Sequence, residues 1–415
     1  MERFDVVVIG AGPAGMFAAG KSAEIPAKTL LLEKKDQPGR KLKITGSGRC
    51  NVTNNGDINL FINSYHKNGK FLYRAFSEFF NKDLIKFLNG YGIKTIVEKK
   101  GKIFPANGNA DTISSVLVKF MKEKGVVLRV NSPVEEIITA DSLREKVTGI
   151  KLKDTQEIIG CSKVIIATGG LSYPQTGSTG DGYRMAQMLG HKIVAPKPAL
   201  VPLEISENIC KQLQGISFQD IIINAFADNK RIITQSGDML FTHFGISGPA
   251  IFHISGPVAE HLNKNEKVSL SVNLVSGISP LDFGDNLRKE IRNSGDKTLK
   301  TILNAYLPKR FVEVLMKLMN IPEDKKCRQL NKTEIEKTAD SITNFKLNIT
   351  KTRPIEEATV TSGGISLKEI NPYTMESKIV SGLFFCGEVI DIDGLTGGFN
   401  LQAAFSTAFL AATKK

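Results

Sequence analysis

The sequence predicts an α/β fold in which both chain ends build one layered unit, interrupted by an inserted β-rich region that carries a helical excursion. Three observations predict it. Apolar, β-branched or aromatic runs occupy residues 4–9, 164–168 and 383–386, and each is followed at once by glycine. Runs of that length read as strands buried on both faces. From about residue 195 the texture changes, and the strand-then-glycine pattern returns only near the C-terminus.

The elements follow in order. Residues 4–9 are the first strand, 10–15 a glycine turn, 16–23 a helix of small residues and 30–32 a second strand closed by Glu33. Residues 164–168 form a further buried strand ending in Gly169-Gly170. Between about 195 and 275 the stretches 221–223 and 268–272 are β-rich. From 280 to 342, Leu287, Ile291, Leu299, Ile302 and Leu303, then Phe311, Val312, Val314, Leu315 and Leu318, recur at helical spacing. Strand character resumes at 347–352 and 358–361, then at 383–386, and a helix runs from about 401 to 411. The expected domains are 1–194 with 355–415, an inserted β domain of 195–279 with 343–354, and a helical subdomain of 280–342.

Composition narrows the function. The 415 residues suffice for two or three cores. No apolar run approaches the roughly 18 residues of a membrane helix, and the N-terminus lacks an export signal. A cytoplasmic protein is expected. Five scattered cysteines without a CxxC pair argue against a disulfide framework, a cysteine zinc site and a flavin–dithiol reductase. Five histidines without HxH or HExxH predict no catalytic metal. The net charge of +13 attracts polyanions or solvates a lysine-rich surface. The lysines are dispersed and no arginine–aromatic block is evident, so a small-molecule partner is expected over nucleic acid.

Gly10-Ala11-Gly12-Pro13-Ala14-Gly15 carries the strongest chemistry. Gly10 permits the tight turn, Gly12 admits a pyrophosphate, and Gly15 lets helix and strand pack. Helix amides then stabilise the phosphate charge. Glu33, with Lys34 beside it, ends the second strand where a carboxylate accepts from a ribose diol. Strand, turn, helix and acid in register predict Rossmann-type dinucleotide binding. Thr168-Gly169-Gly170 and Gly387-Glu388 follow buried strands where flavoproteins return to their cofactor, and Glu388 is a candidate for a ribityl hydroxyl. A second GxGxxG after a strand is absent, so a single-Rossmann flavoprotein is expected, with FAD as the dinucleotide.

Residues 39–54 (Gly39-Arg40-Lys41-Leu42-Lys43-Ile44-Thr45-Gly46-Ser47-Gly48-Arg49-Cys50-Asn51-Val52-Thr53-Asn54) resemble the signature of the BaiN/YhiN-like flavoproteins, also called aminoacetone oxidase family FAD-binding enzymes. The stretches 242–250, 361–365 and 394–402 match the same family, and the similarity spans essentially the whole chain. It implies a discontinuous FAD domain, an inserted β-barrel-like domain, a small helical domain and, from the family label, NAD(P)H as donor. One branch is linked to bile-acid reduction.

The residues of these motifs are read beside the resemblance. Arg40 and Lys41 are either diphosphate partners or exposed bases. Thr45, Gly46 and Gly48 bring donors to a flat ring, and Arg49, Cys50 and Asn51 would then face flavin or substrate, though Cys50 reads better as a small buried hydrophobe. Residues 174–182 are similar to a turn of fumarate reductase and aspartate oxidase flavoproteins. There Gly180 precedes Asp181, which either caps the next helix or meets the flavin. Gly397-Gly398-Phe399-Asn400-Leu401 opens the last helix toward the flavin pyrimidine ring, where its N-terminus would stabilise anionic charge. His243 and His253 are candidates for proton transfer. The expectation is an FAD-dependent oxidoreductase moving hydride between flavin and a small organic molecule, with Arg49 and His243 serving the substrate. FAD-dependent RNA modification and a non-enzymatic flavin sensor are the alternatives.

Overall fold

A computed structural model describes residues 2–25, 27–140 and 146–414. The chain divides into two compact units, one of residues 1–198 with 359–415 and one of 199–358.

The first unit is built on a five-stranded parallel sheet. Its order is Leu383–Phe385, Lys163–Ile166, Val6–Ile9, Thr29–Leu32, Val127–Arg129. Four of the five runs, the three inner ones and the edge strand Leu383–Phe385, are almost wholly apolar and buried, as parallel strands covered on both faces must be. The opposite edge strand, Val127–Arg129, is half-exposed, and its short mixed sequence gave no signal. The first strand starts at Val6 rather than 4, and the first helix is longer than expected, Pro13–Glu24. Pro13 explains the early start, because a proline at the first helical position lacks only an amide that the helix leaves unpaired.

That helix is small-sided because it is sandwiched. Gly20 sits against Phe120, whose Cε1 would lie 2.2 Å from an added Cβ. Phe17 points into an aromatic cluster with Phe79, Phe87, Phe405 and Phe120 at ring separations of 5.0, 5.2, 5.3 and 6.0 Å. Phe405 belongs to the last helix, Phe399–Thr413, which is buried along most of its length. Residues nearly 400 apart in sequence thus share one core. Three smaller sheets complete the unit, including an antiparallel one of Thr53–Asn54, Lys102–Pro105 and Thr95–Val97.

The second unit holds a closed six-stranded barrel of Leu203–Ile205, Gly245–Ser247, Lys230–Phe241, Ser217–Ala227, Val268–Asn273 and Phe345–Thr352. Strand alternation places Ile221, Ile223 and Ala225 inward, and a register shift between Phe218 and Ile221 brings Phe218 in as well. The helices Pro280–Asn293, Leu299–Leu303, Lys309–Met319 and Lys332–Thr343 bury their apolar stripes in the same core. Two helices depart from the expected β texture of 195–275, the single turn Cys210–Leu213 and the longer Pro249–Leu262. Pro249 and Pro257 read as breakers, yet Pro249 opens this helix and Pro257 is tolerated inside it.

Candidate active site

Three glycines shape the turn before the first helix, each differently. Gly10 has φ +99°, and a Cβ there would lie 2.7 Å from the Ala167 carbonyl oxygen. At Gly15 the added atom would stand 1.8 Å from the Gly10 oxygen. Gly12 is different: its φ of −74° suits any residue, and a Cβ would meet nothing within 4 Å. It therefore leaves open space before Pro13 and Ala14, where the helix has no side-chain cap and no acidic residue in its first turn. Free amides facing open space fit a diphosphate, because they supply donors and the positive end of the helix dipole.

Glu33 stands beside this cradle. One carboxylate oxygen accepts from the Ala11 amide at 2.9 Å and the other from the Lys35 amide at 2.9 Å. Each oxygen keeps lone pairs, so the carboxylate is oriented and still able to accept hydroxyls. Lys34 turns to Asp181 Oδ2 at 2.6 Å and to Thr179. The reading of Asp181 as a helix cap is corrected here. Gly180, at φ +82°, holds the cap position of Asp181–Met188, and the Asp181 carboxylate serves Lys34 instead.

Arg40 and Lys41 diverge. Arg40 is 41% exposed and pairs with Asp36 one turn away. Lys41 points inward, 2.8 Å from Glu388 Oε2 and 2.5 Å from Ser172 Oγ. Glu388 Oε1 accepts from Ser172 Oγ at 3.1 Å and the Thr361 amide at 2.8 Å. Gly387, at φ +76°, lies against Ala14, 2.9 Å from an added Cβ to the Ala14 methyl. Beside this network two buried hydroxyls, Thr168 Oγ1 and Tyr183 OH, have no partner. Burial, then the Glu388 and Asp391 charges, push the Tyr183 phenol well up, so it stays protonated as a donor. An added Cβ on Gly170 would lie 3.2 Å from Tyr183 OH, and one on Gly169 3.1 Å from Ser178 Oγ. Two orphaned hydroxyls among close-packed glycines fit a polar cofactor chain better than an apolar core.

The segment following Arg40–Ile44 winds tightly through Thr45–Gly48, with Gly46 and Gly48 at positive φ. Cys50 is fully buried, and burial pushes its thiol up to about 12, which disfavours a thiolate. Asn51 donates to the Thr53 and Ile103 carbonyls, fixing the turn. Arg49 lies over Phe104, its guanidinium carbon 4.4 Å from the ring centroid, and is paired with Glu98.

The last helix begins at Gly398, φ +92°, where a Cβ would lie 2.3 Å from the Thr53 oxygen. It has neither side-chain cap nor acidic first turn, so its amides are available as the first helix's are. Asn400 ties the loop by bonding the Gly394 amide at 2.8 Å and its carbonyl at 2.7 Å. Asn54 Nδ2 reaches the Gly397 carbonyl at 3.1 Å. Phe399 is buried against Phe61, and Leu401 packs on the core.

Sequence reasoning missed an acid cluster at this loop. His66 Nε2 lies 3.7 Å from Asp393 Oδ2, and Asn68 Nδ2 lies 3.2 Å from Asp391 Oδ2. Residues 64–66 pair with 393–395 through His66 N–H to Asp393 O and Leu395 N–H to Ser64 O. Burial raises both aspartates; the Asp393 charge raises Asp391 further, and His66 pulls Asp393 partly back. The spacing of the two aspartates was visible, but a lone histidine 327 residues upstream of Asp393 gave no sign of its partner.

In the second unit His243 is exposed in the turn between Lys230–Phe241 and Gly245–Ser247, 5.0 Å from the Phe244 ring. Arg353 covers Phe244 at 4.6 Å and pairs with Glu204 and Glu357. His253 lies half-buried on Pro249–Leu262. Among the described residues no cluster of three or more His, Cys, Asp or Glu could hold a metal ion, and no helix is long and apolar enough to cross a membrane.

The comparisons agree with this geometry. The family described as HI0933-like protein Rossmann domain matches residues 4–414. A ribosomal RNA dihydrouridine synthase of Escherichia coli K12 is 32% identical, covering 99% of this chain and 98% of its own. A 3-dehydro-bile acid delta(4,6)-reductase of Clostridium scindens is 28% identical over 97% of each. The solved 3-ketosteroid delta1-dehydrogenase of Sterolibacterium denitrificans has the same fold, with TM-score 0.56, 14% identity and 99% of both chains covered. The chain belongs to the HI0933-like Rossmann family of FAD-dependent oxidoreductases.

Proposed function

We propose that this enzyme reduces a carbon–carbon double bond conjugated with a carbonyl, and that its substrate is a uridine of ribosomal RNA. The observation that carries the FAD half is the open cradle at Gly12, flanked by uncapped helix amides and the oriented Glu33 carboxylate. The substrate half rests on the relatives. Dihydrouridine is uridine without the ring double bond beside its carbonyl, and a 3-dehydro bile acid with delta(4,6) bonds is likewise a conjugated ketone. Both names describe one chemistry on different molecules. The higher identity of the ribosomal RNA relative and the +13 charge favour the polyanion, reversing the preference for a small molecule that charge dispersion alone suggested.

Bound FAD supplies hydride; the protein supplies everything that orients and balances it. Gly10, Gly12, Pro13, Ala14 and Gly15 hold the diphosphate, and Glu33 takes the ribose hydroxyls. Lys34, through Asp181 and Gly180, braces that side. Lys41, Glu388, Gly387 and the Thr168-Gly169-Gly170 turn bind the ribityl and diphosphate chain, with Arg40 adding charge from outside. Thr45, Gly46, Gly48, Cys50 and Asn51 form the wall beside the ring. The amides that open at Gly397, Gly398, Phe399, Asn400 and Leu401 stabilise negative charge there. His66 and Asp393, 3.7 Å apart at the same loop, are the pair that would deliver a proton to the substrate carbon that hydride leaves electron-rich. Arg49 serves the substrate, and NAD(P)H is the donor.

The test is anaerobic. Enzyme reduced with NADPH or NADH is mixed with an unmodified ribosomal RNA transcript, and nucleosides are analysed by mass spectrometry. The reading expects dihydrouridine to form as the flavin reoxidises. Reoxidation by a steroid dienone but not by RNA would transfer the assignment to a small-molecule ene-reductase, the reading that the bile-acid relative favours.

A further inference from the structure

The small sheet of Thr53–Asn54, Lys102–Pro105 and Thr95–Val97 is unlike a solvated lysine surface in three respects. First, its cations are unpaired. Lys94, Lys99, Lys100 and Lys102 have no carboxylate within ion-pair distance among the described residues, although Lys102 feels the Glu98 charge, while Arg40 and Lys43 pair with Asp36 and Asp111. The carboxylate on this face, Glu98, is taken by Arg49. Second, charge and apolar surface alternate. The register Ile96↔Phe104 and the 2.8 Å bond from Glu98 N–H to Lys102 O set residues 94, 96, 98, 102 and 104 on one face. Ile96 is 40% exposed there, and Val97, on the edge strand, 59%. The Arg49 guanidinium lies over Phe104 within the same face. Third, the sheet is anchored to the candidate site. Asn54 Nδ2 donates to both the Lys100 carbonyl at 3.0 Å and the Gly397 carbonyl at 3.1 Å. The Lys99–Gly101 turn, with Lys100 at φ +60°, is thereby clamped to the glycine loop that opens the last helix.

We infer that this sheet face and its turn dock the phosphate backbone of single-stranded or looped RNA, with Lys94, Lys99, Lys100 and Lys102 as phosphate contacts. Unpaired lysines attract phosphate without first breaking an ion pair, so the counterions they release on binding add directly to affinity. Exposed Ile96 and Val97 offer apolar contact to splayed bases, which a helical RNA with stacked bases would not use. The Asn54 clamp fixes the distance between bound backbone and the glycine loop, so one nucleotide is presented there while its neighbours are held. The inference rests on the ribosomal RNA reading proposed above.

The experiment measures binding of labelled poly(uridine) to the FAD-loaded enzyme over a salt series. It uses the wild type, Lys94→Glu with Lys99→Glu, and a control of Lys122→Glu with Lys153→Glu. Lys122 and Lys153 are exposed elsewhere on the unit, and both pairs lower the net charge equally. Each single-strand phosphate contact contributes about 0.7 to the slope of log affinity against log salt, so losing two lowers its magnitude by about 1.4. The inference expects that loss in the sheet variant and a near-wild-type slope in the control, with flavin absorbance and melting temperature unchanged in both. Equal losses in the two variants would overturn the inference, since diffuse charge alone would then explain binding. Undiminished binding by the sheet variant, or by a neutral Lys94→Gln with Lys99→Gln variant should the reversal not fold, would overturn the surface and leave the RNA reading standing. A wild type that binds no poly(uridine) would overturn both.

Discussion

Single side chains separate into those that shape the site and those that only occupy it. Cys50 occupies it: buried and held protonated, it should resist thiol reagents in the native enzyme, and Cys50→Ala should keep its flavin. Titration with a chromogenic disulfide, native against denatured, checks this; rapid labelling of Cys50 in the folded protein would contradict it. Lys41 shapes the site. Removing it as Lys41→Met leaves Glu388 without its cation, costing about 1–3 kcal/mol, whereas Arg40→Met removes a surface pair worth about 0.5 kcal/mol. Flavin retention after dialysis should fall in the first and not in the second. Asp391 gives a pH signature. Its carboxyl is raised in the folded protein, so the linked stability is full at low pH and declines as pH rises through the folded value. Asp391→Asn should therefore raise the melting temperature by about 2 °C near neutrality and leave it unchanged in acid. A shift of equal size at both pH values would point to packing instead.

At the scale of elements, the two uncapped helices and their glycines make a sharp contrast. Gly12→Ala adds a methyl where nothing stands, so the fold should keep its melting temperature while FAD affinity drops at least about tenfold, roughly 1.4 kcal/mol. Gly15→Ala drives its methyl into the Gly10 carbonyl and should lose both stability and flavin. Parallel thermal melts and flavin titrations distinguish the two outcomes. The first of these helices was legible from Gly10 to Gly15, because strand, turn and helix N-terminus lie in consecutive residues. The helix Pro249–Leu262 was not, because local breakers outweighed a burial pattern that only the barrel core creates. The position of Asp181 was likewise misjudged by local capping rules, since its partner Lys34 lies 147 residues away.

For the whole molecule, the two units differ in how they depend on chain continuity. Residues 199–358 carry their own barrel and core, so the excised segment should unfold cooperatively on its own and bind no FAD. Residues 1–198 alone lack the strand Leu383–Phe385 and the helix Phe399–Thr413, and with them Phe405 from the Phe17 cluster. They should fold only when 359–415 is supplied. Circular dichroism melts of the fragments, separate and mixed, test both statements; a cooperative melt from 1–198 alone would refute the second. The same discontinuity explains why Lys41–Glu388 and the Asn54 clamp each join residues far apart in sequence.

By itself the sequence determined the α/β class and the strand–turn–helix at Gly10 to Gly15, because these are written in contiguous residues, while the barrel-like insertion and the choice of FAD were legible through the longer motifs that resemble a known flavoprotein family. Tertiary structure alone decided which of Arg40 and Lys41 turns inward, that Arg49 is held by Glu98, and that His66 meets Asp393. Those outcomes depend on partners brought from distant segments by the burial of the sheet and last helix, and no local pattern encodes a partner that the chain reaches only once it is folded.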